Sequence, residues 1–302
     1  MRISTSAHLF MDVYGFDYIS SLKRHAAAGF RVFDFGYLDF SQSGHASGQD
    51  SYRESSPFVK ADWRDWINEI GTYTRENGLE FSQSHAPIFS FFTQGKETEL
   101  YIELSKRSLE ANGMLNIPWC VFHTSTPPTG DRTYALEKNK AFFCEMLEYA
   151  HKYNTGICVE NLFPSKALHY LKEDAKFFGH RAEDLIELVD SINDSRFGIC
   201  IDTGHSMCAG YQPSDLVRAC GSRVKVLHIQ DSDGSYDMHR ALGYGKVNWK
   251  DFMQALKTVG YAGTFNYEAH NAVREVQEPF KDIAARMMVI SAQHLIDLYW
   301  ND

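Results

Sequence analysis

Asp202 and His205 close the run Phe197-Gly-Ile-Cys-Ile-Asp-Thr-Gly-His205. A short apolar run bounded by turn residues suits a strand buried on both faces. A carboxylate and an imidazole at its C-terminal end serve packing badly and metal or acid–base chemistry well. The plainer account makes Asp202 a helix cap and His205 a satisfied core residue. That account loses ground because the pattern recurs along the chain. His85 follows Ser84, His123 follows Phe122, Glu160 follows Val159, His228 follows Leu227, and Glu268 follows Tyr267. Asp237 and His239 lie shortly after the His228 run. Nine such groups on one rim would repel and desolvate one another at high cost without a cation. Mixed carboxylates and imidazoles suit Zn, Mn, Co or Fe better than Ca.

The elements that must position these groups alternate from end to end. Strands are expected at 3–7, 31–37, 80–87, 119–125, 156–163, 197–202, 224–230 and 264–268. Helices are expected at 16–28, 62–77, 97–115, 133–153, 181–191, 213–220, 249–259 and 279–300. Leu185, Leu188, Val189 and Ile192 show the spacing of one buried helix face, and Gly29 and Gly78 are placed to stop helices. A long loop is expected at 41–57 and a mixed connection at 164–180. Eight β–α pairs without a composition break imply parallel strands covered by helices. The expected fold is α/β, a single (β/α)8 TIM barrel domain over 1–302, with its site on the C-terminal face of the strands. No glycine-rich dinucleotide fingerprint follows the first strand, which disfavours an open doubly wound sheet.

Bulk properties narrow the function. With 39 acidic against 30 basic side chains the formal charge is −9, which argues against contact with phosphate backbones and so against a nucleic-acid partner. No apolar run approaches the ~20 residues of a membrane span, and the start reads as a strand, with no signal segment. The six cysteines form no C-x-x-C pair and read as free, buried thiols of a reducing, cytoplasmic compartment. Phe89, Phe91, Phe92, Trp119 and Trp249 read first as ordinary packing residues.

The runs Val159-Glu160-Asn161, Ile201-Asp202-Thr203-Gly204-His205, Leu227-His228-Ile229-Gln230-Asp231, Asp237-x-His239 with Gly243-x-Gly245, and Tyr267-Glu268 resemble the xylose isomerase-like TIM barrel superfamily. That group contains sugar and sugar phosphate isomerases and epimerases and the endonuclease IV type of repair enzyme. The resemblance implies a metal quartet of Glu160, Asp202, His228 and Glu268. It implies a divalent cation, Mn, Zn, Co or Mg, with one in the quartet and up to three overall. The five further candidates, His85, His123, His205, Asp237 and His239, match the additional zinc ligands of the endonuclease IV branch. In the isomerase branch His205, His123 and His85 would touch substrate instead. The implied activity is a metal-dependent sugar, sugar phosphate or keto-sugar isomerase or epimerase, with Glu160 and Glu268 moving protons through a metal-bound enediolate. The alternatives are a trinuclear-zinc AP endonuclease or phosphodiesterase, and a lyase or deglycosylase acting on oxidised sugars. The expected partner is a small sugar, with a homo-oligomer or a small partner subunit also compatible and no membrane. Two departures stand out. The ketose 3-epimerases of the family carry an Arg six residues after the seventh-strand His, where this chain has Gly234. The opening Ser4-Thr5-Ser6-Ala7-His8 lacks the Gly-x-His start of the endonuclease branch.

Overall fold

The computed structural model describes residues 1–37, 54–163 and 177–301. Apolar runs too short for helices become eight strands. They are β1 Ile3–Ser6, β2 Val32–Gly36, β3 Glu80–His85, β4 Trp119–Phe122, β5 Gly156–Glu160, β6 Phe197–Asp202, β7 Val224–His228 and β8 Phe265–Tyr267. All pair in parallel, in the order β7-β6-β5-β4-β3-β2-β1-β8. The Ile229 amide donates to Asn266 O (2.7 Å) and the Glu268 amide to Ile229 O (3.0 Å), which joins β7 to β8 and closes the round. This is the (β/α)8 TIM barrel expected from the alternation.

Eight covering helices follow the strands in turn. They are α1 Tyr18–Ala28, α2 Trp63–Glu76, α3 Lys96–Leu115, α4 Arg132–Lys152, α5 Ala182–Ile192, α6 Pro213–Cys220, α7 Trp249–Thr258 and α8 Lys281–Tyr299. Side chains of Asp17, Asp131 and Asn248 accept amide hydrogens at the starts of α1, α4 and α7. Gly29 ends α1 at φ 116°, a conformation that glycine adopts without penalty. Alternation along the strands then sorts the side chains. Ile157, Val159, Ile199, Ile201 and Leu227 join the main core against the helices. Val121, Cys158, Cys200 and Val226 form a separate small cluster in the lumen. One pleat further toward the C-terminal end, the same face of β5, β6 and β7 delivers Glu160, Asp202 and His228, with Asp202 paired in register to His228.

Several expectations shift. The third, fourth, fifth and seventh strands stop earlier than expected, at His85, Phe122, Glu160 and His228. Beyond those points the chain must turn outward at the barrel rim. A short helix Thr203–Cys208 leaves β6 directly, with the Asp202 side chain capping it through the His205 amide (2.6 Å). The capping account of Asp202 therefore holds alongside its place in the site. The last helix begins at Lys281 because Glu278–Phe280, which holds Pro279, forms a 3-10 turn. Most of the loop expected at 41–57 and of the connection expected at 164–180 lies outside the described residues. All six cysteines are free; Cys120, Cys158, Cys200 and Cys220 are buried as expected, whereas Cys144 is exposed and Cys208 half-buried. Among the described residues no helix is long and apolar enough to cross a membrane.

One buried base gives this fold a pH signature. His25 of α1 is fully buried and packs edge-on to Phe10 (4.9 Å) and Phe33 (5.6 Å). Its Nδ1–H donates to Ser21 O at 2.7 Å, and burial pushes its pKa down to about 4. The folded value lies below the unfolded one, near 6.5, so the unfolded chain binds the extra proton. His25 thus contributes stability that is complete above pH ~6.5 and lost as pH falls toward 4. Between pH 7 and 5, wild type should lose about 2 kcal/mol relative to His25→Phe in paired denaturant unfolding curves. A pH-independent difference between the two proteins would refute this.

Candidate metal and acid–base site

The C-terminal ends of the strands bring all nine residues singled out in the sequence into one cluster. Glu160 is its hub. Its Oε1 accepts from His228 Nδ1 (2.6 Å), and its Oε2 lies 2.8 Å from His123 Nε2 and 3.3 Å from His85 Nε2. Ligand atoms of Glu160, Asp202, His228 and Glu268 fall within 4.8 Å of one another, as do those of His85, His123 and Glu160. Both groupings are compact enough to hold a cation. Asp237 Oδ2 makes a third focus, 2.7 Å from His239 Nε2 and 3.5 Å from His205 Nε2.

Backbone carbonyls aim three of the imidazoles. Nδ1–H donates to Ala86 O from His85 (2.7 Å), to Asn161 O from His205 (2.9 Å) and to Glu268 O from His239 (2.8 Å). A carbonyl only accepts, so Nδ1 carries the hydrogen and Nε2 is turned toward the carboxylates. His228 is oriented the other way, with Nδ1 toward Glu160 and Nε2 3.1 Å from Asp34 Oδ2.

The electrostatics are those of a site short of positive charge. Burial would raise Glu160, yet His228, His123 and His85 hold it well below the usual carboxylate range. Burial pushes Glu268 up to about 8, and the nearby Glu160 and Asp202 add to the rise against the pull of His228 and His239. Burial would lower His239, but Asp237, Glu268 and Asp202 carry it up to about 10. His205 is likewise held well above its ordinary value by Asp202, Asp237 and Glu160 against its burial. Protons thus sit where the carboxylates need compensation, and a divalent cation would displace them. The donor set, three carboxylates and an imidazole in the main group, fits such an ion.

Above the cluster lies a cavity of about 140 Å³, lined by Ser6, His8, Ile88 and His270 as well as by cluster residues. No Lys or Arg lines it among the described residues. His270 stacks on His239, with ring centres 4.1 Å apart, and Phe163 packs at 4.8 Å from His205. Phe89 and Phe91 are packing residues, stacked on Tyr101 and Phe142. Trp249 donates toward Asp231, and Phe92 meets Tyr134.

Comparison with known proteins agrees with this geometry. The xylose isomerase-like TIM barrel model matches residues 22–289. The chain belongs to that family. An uncharacterised protein of Methanocaldococcus jannaschii is 27% identical over 197 residues, 62% of this chain and 64% of that protein. An uncharacterised protein of Sinorhizobium fredii is 25% identical over 174 residues, 55% of this chain and 52% of the other. The match therefore spans between half and two thirds of each relative. Among solved structures, a D-tagatose 3-epimerase-like protein superposes with TM-score 0.72 at 19% identity over 98% of both chains. D-psicose 3-epimerase of Clostridium cellulolyticum H10 gives 0.71 at 14% identity, over 98% of this chain and 99% of that one. The IOLI protein, crystallised with a zinc atom, gives 0.71 at 13% identity over the whole of both chains. At these identities the structures share the family fold.

Sequence reasoning missed Asp34, His8 and His270. Asp34 hides in the apolar run Val32–Gly36, where one acidic residue gives no periodic signal. It also missed Gln230, whose Nε2 donates to both Asp202 oxygens (3.2 Å each) and to Asp237 Oδ1 (2.7 Å), while Oε1 accepts from the His239 amide (2.7 Å). Gln230 ties the main group to the Asp237–His239 loop. Gln230→Met should therefore destabilise the metal-free protein by about 1–3 kcal/mol, since buried acceptors lose their donor. Urea unfolding in a chelator measures this, and wild-type stability would show that the ties contribute nothing.

Proposed function

We propose that the chain is a divalent-metal-dependent sugar isomerase or epimerase. The observation that supports this best is the convergence of two glutamates, from β5 and from just past β8, on one four-ligand group beneath a small cavity. The ligands are Glu160, Asp202, His228 and Glu268. When bound, the cation polarises a sugar carbonyl and acidifies the neighbouring C–H. Glu160 and Glu268 approach from strands on different sides of the barrel and act as the acid–base pair. One, as carboxylate, takes the proton beside the carbonyl, giving an enediolate; the other, as carboxylic acid, gives its own proton to the opposite face or to the adjacent carbon, and solvent resets both glutamates. His205, His123 and His85 orient sugar hydroxyls, and burial keeps bulk water from the enediolate. The lack of Lys or Arg among the described residues of the cavity lining suits an unphosphorylated sugar.

The departure at Gly234 bears on which sugar. Gly234 has φ 85°, and a Cβ there would meet Met207 O at 2.9 Å, so an Arg cannot occupy this position without moving backbone. The reading accordingly favours a sugar other than those of the ketose 3-epimerases. The free thiols support a cytoplasmic location.

The nine-residue constellation supports a second reading, a phosphodiesterase in which His85, His123, His205, Asp237 and His239 hold two further zinc ions. The net charge of −9 and the absence of Lys and Arg from the described cavity lining oppose it. Zinc analysis and abasic duplex DNA separate the two: three zincs per chain with strand cleavage would replace the sugar reading.

For the sugar reading, Glu160→Gln and Glu268→Gln should each lower kcat by on the order of 10² to 10⁴ and weaken substrate binding far less. Turnover in deuterated water should place deuterium at the carbon beside the carbonyl. Near wild-type turnover in both variants would rule out the glutamate pair. Asp202→Ala should lose most of its bound metal on dialysis, and full occupancy would remove Asp202 from the ligand set. The KM for a neutral sugar should also change little between about 50 and 200 mM salt.

A further inference from the structure

We infer that Asp34 is a positioning residue for His228, holding its Nε2–H so that Nδ1 points at Glu160, Asp202 and Glu268. The inference rests on the reading of that group as a cation site. Asp34 lies on β2, at a register shift against β3 that falls between Phe33 and Asp34. Its carboxylate is 3% exposed, in a lumen that nearby strands fill with Val and Cys. An apolar side chain would pack there without the cost of burying a charge.

The hydrogen bonds show what the charge is aimed at. Asp34 Oδ2 accepts from Gln83 Nε2 (2.9 Å), Asn266 Nδ2 (3.0 Å) and His228 Nε2 (3.1 Å), while Oδ1 has no hydrogen-bond partner among the described residues. Gln83 also donates to Leu227 O, beside His228 (3.2 Å). Two amides from β3 and β8 thus fix one carboxylate oxygen, and that oxygen meets the outer nitrogen of His228. The cluster's other imidazoles with an assigned outer partner, His85, His205 and His239, use neutral backbone carbonyls. Only His228, among these four, has an acidic partner on its outer nitrogen, and it is the imidazole of the main group. A carboxylate on the outer nitrogen fixes the tautomer and the ring plane, and it raises the donor strength of the inner nitrogen.

A merely structural tie would join β2, β3, β7 and β8 across the lumen without affecting metal binding. The deciding measurement is Co²⁺ affinity by chelator competition, together with the visible bands of the Co²⁺ protein and the melting of the metal-free chain. Asp34→Leu removes both acceptor and charge. It should weaken Co²⁺ about 10- to 100-fold and alter the bands as the imidazole swings away. Asp34→Asn can keep an oxygen under the three donors, with its amide nitrogen at the unpartnered Oδ1 position. It should weaken Co²⁺ less than Leu but measurably, with bands like those of wild type. Wild-type affinity in either variant, whatever its melting temperature, overturns the inference, and Asn supplies that test if Leu fails to fold. Wild type that takes up no Co²⁺ would instead overturn the cation reading itself.

Discussion

The rest of the structure depends on crowded buried carboxylates. Glu160, Asp202 and Glu268 meet His228 within one ligand sphere, and Glu160 and Asp202 are almost wholly buried. Water cannot screen them, so their repulsion must be answered by positive charge in fixed positions. The imidazoles, the Gln230 amide and the capping amide of His205 supply part of that answer. The barrel makes the arrangement affordable, because eight strands converge on one axis and each needs to carry only one or two of these groups. A helix bundle or an open sheet would spread them over a longer surface.

Much of this was legible in the sequence, for a reason visible in β5, β6 and β7. Their outward residues, such as Val159, Ile201 and Leu227, are apolar because they face helices. Glu160, Asp202 and His228, standing just where the pattern ends, could only belong to the lumen or the rim. Six such endings in order placed the site, and the eight alternating β–α pairs gave the topology. Strand ends were less legible. Trp119–Phe122 reads in sequence as if it continued through His123 and Thr124, because the rim loops keep β-prone residues while the barrel ladder stops. The short helix after β6 was hidden because Asp202 serves as cap and site residue at once, and the recurrence of the strand-end pattern outweighed the capping account.

Asp34 shows the limit from the other side. Its neighbours Phe33 and Phe35 are core residues, and nothing in the local pattern separates a buried structural acid from one that orients an imidazole. The distinction exists only through partners far along the chain: Gln83, His228 and Asn266 lie 49, 194 and 232 residues away. Gln230 is similar. It reads as one polar residue in a strand-end motif, and its contacts to Asp202, Asp237 and His239 arise only when the loop after β7 folds back.

The two proposed readings of the site divide at a single carboxylate. Glu160 presents Oε1 to His228 and the main group, and Oε2 to His85 and His123. A proton can be taken from carbon only by an oxygen with a lone pair that no cation claims. With one cation in the main group, Oε2 stays available, and His85 and His123 remain free to hold hydroxyls of the substrate. With a second cation between His85, His123 and Glu160, both oxygens become ligands. With both oxygens so engaged, Glu160 could no longer act as a base. His85 is pulled down by burial but raised on balance by Glu160, while burial leaves His123 below its ordinary value. Both groupings thus contain an imidazole whose hold on a proton is strengthened, His85 in one and His228 in the other, and a cation in either would have to displace it. The same buried charge balance therefore assembles both groupings around Glu160.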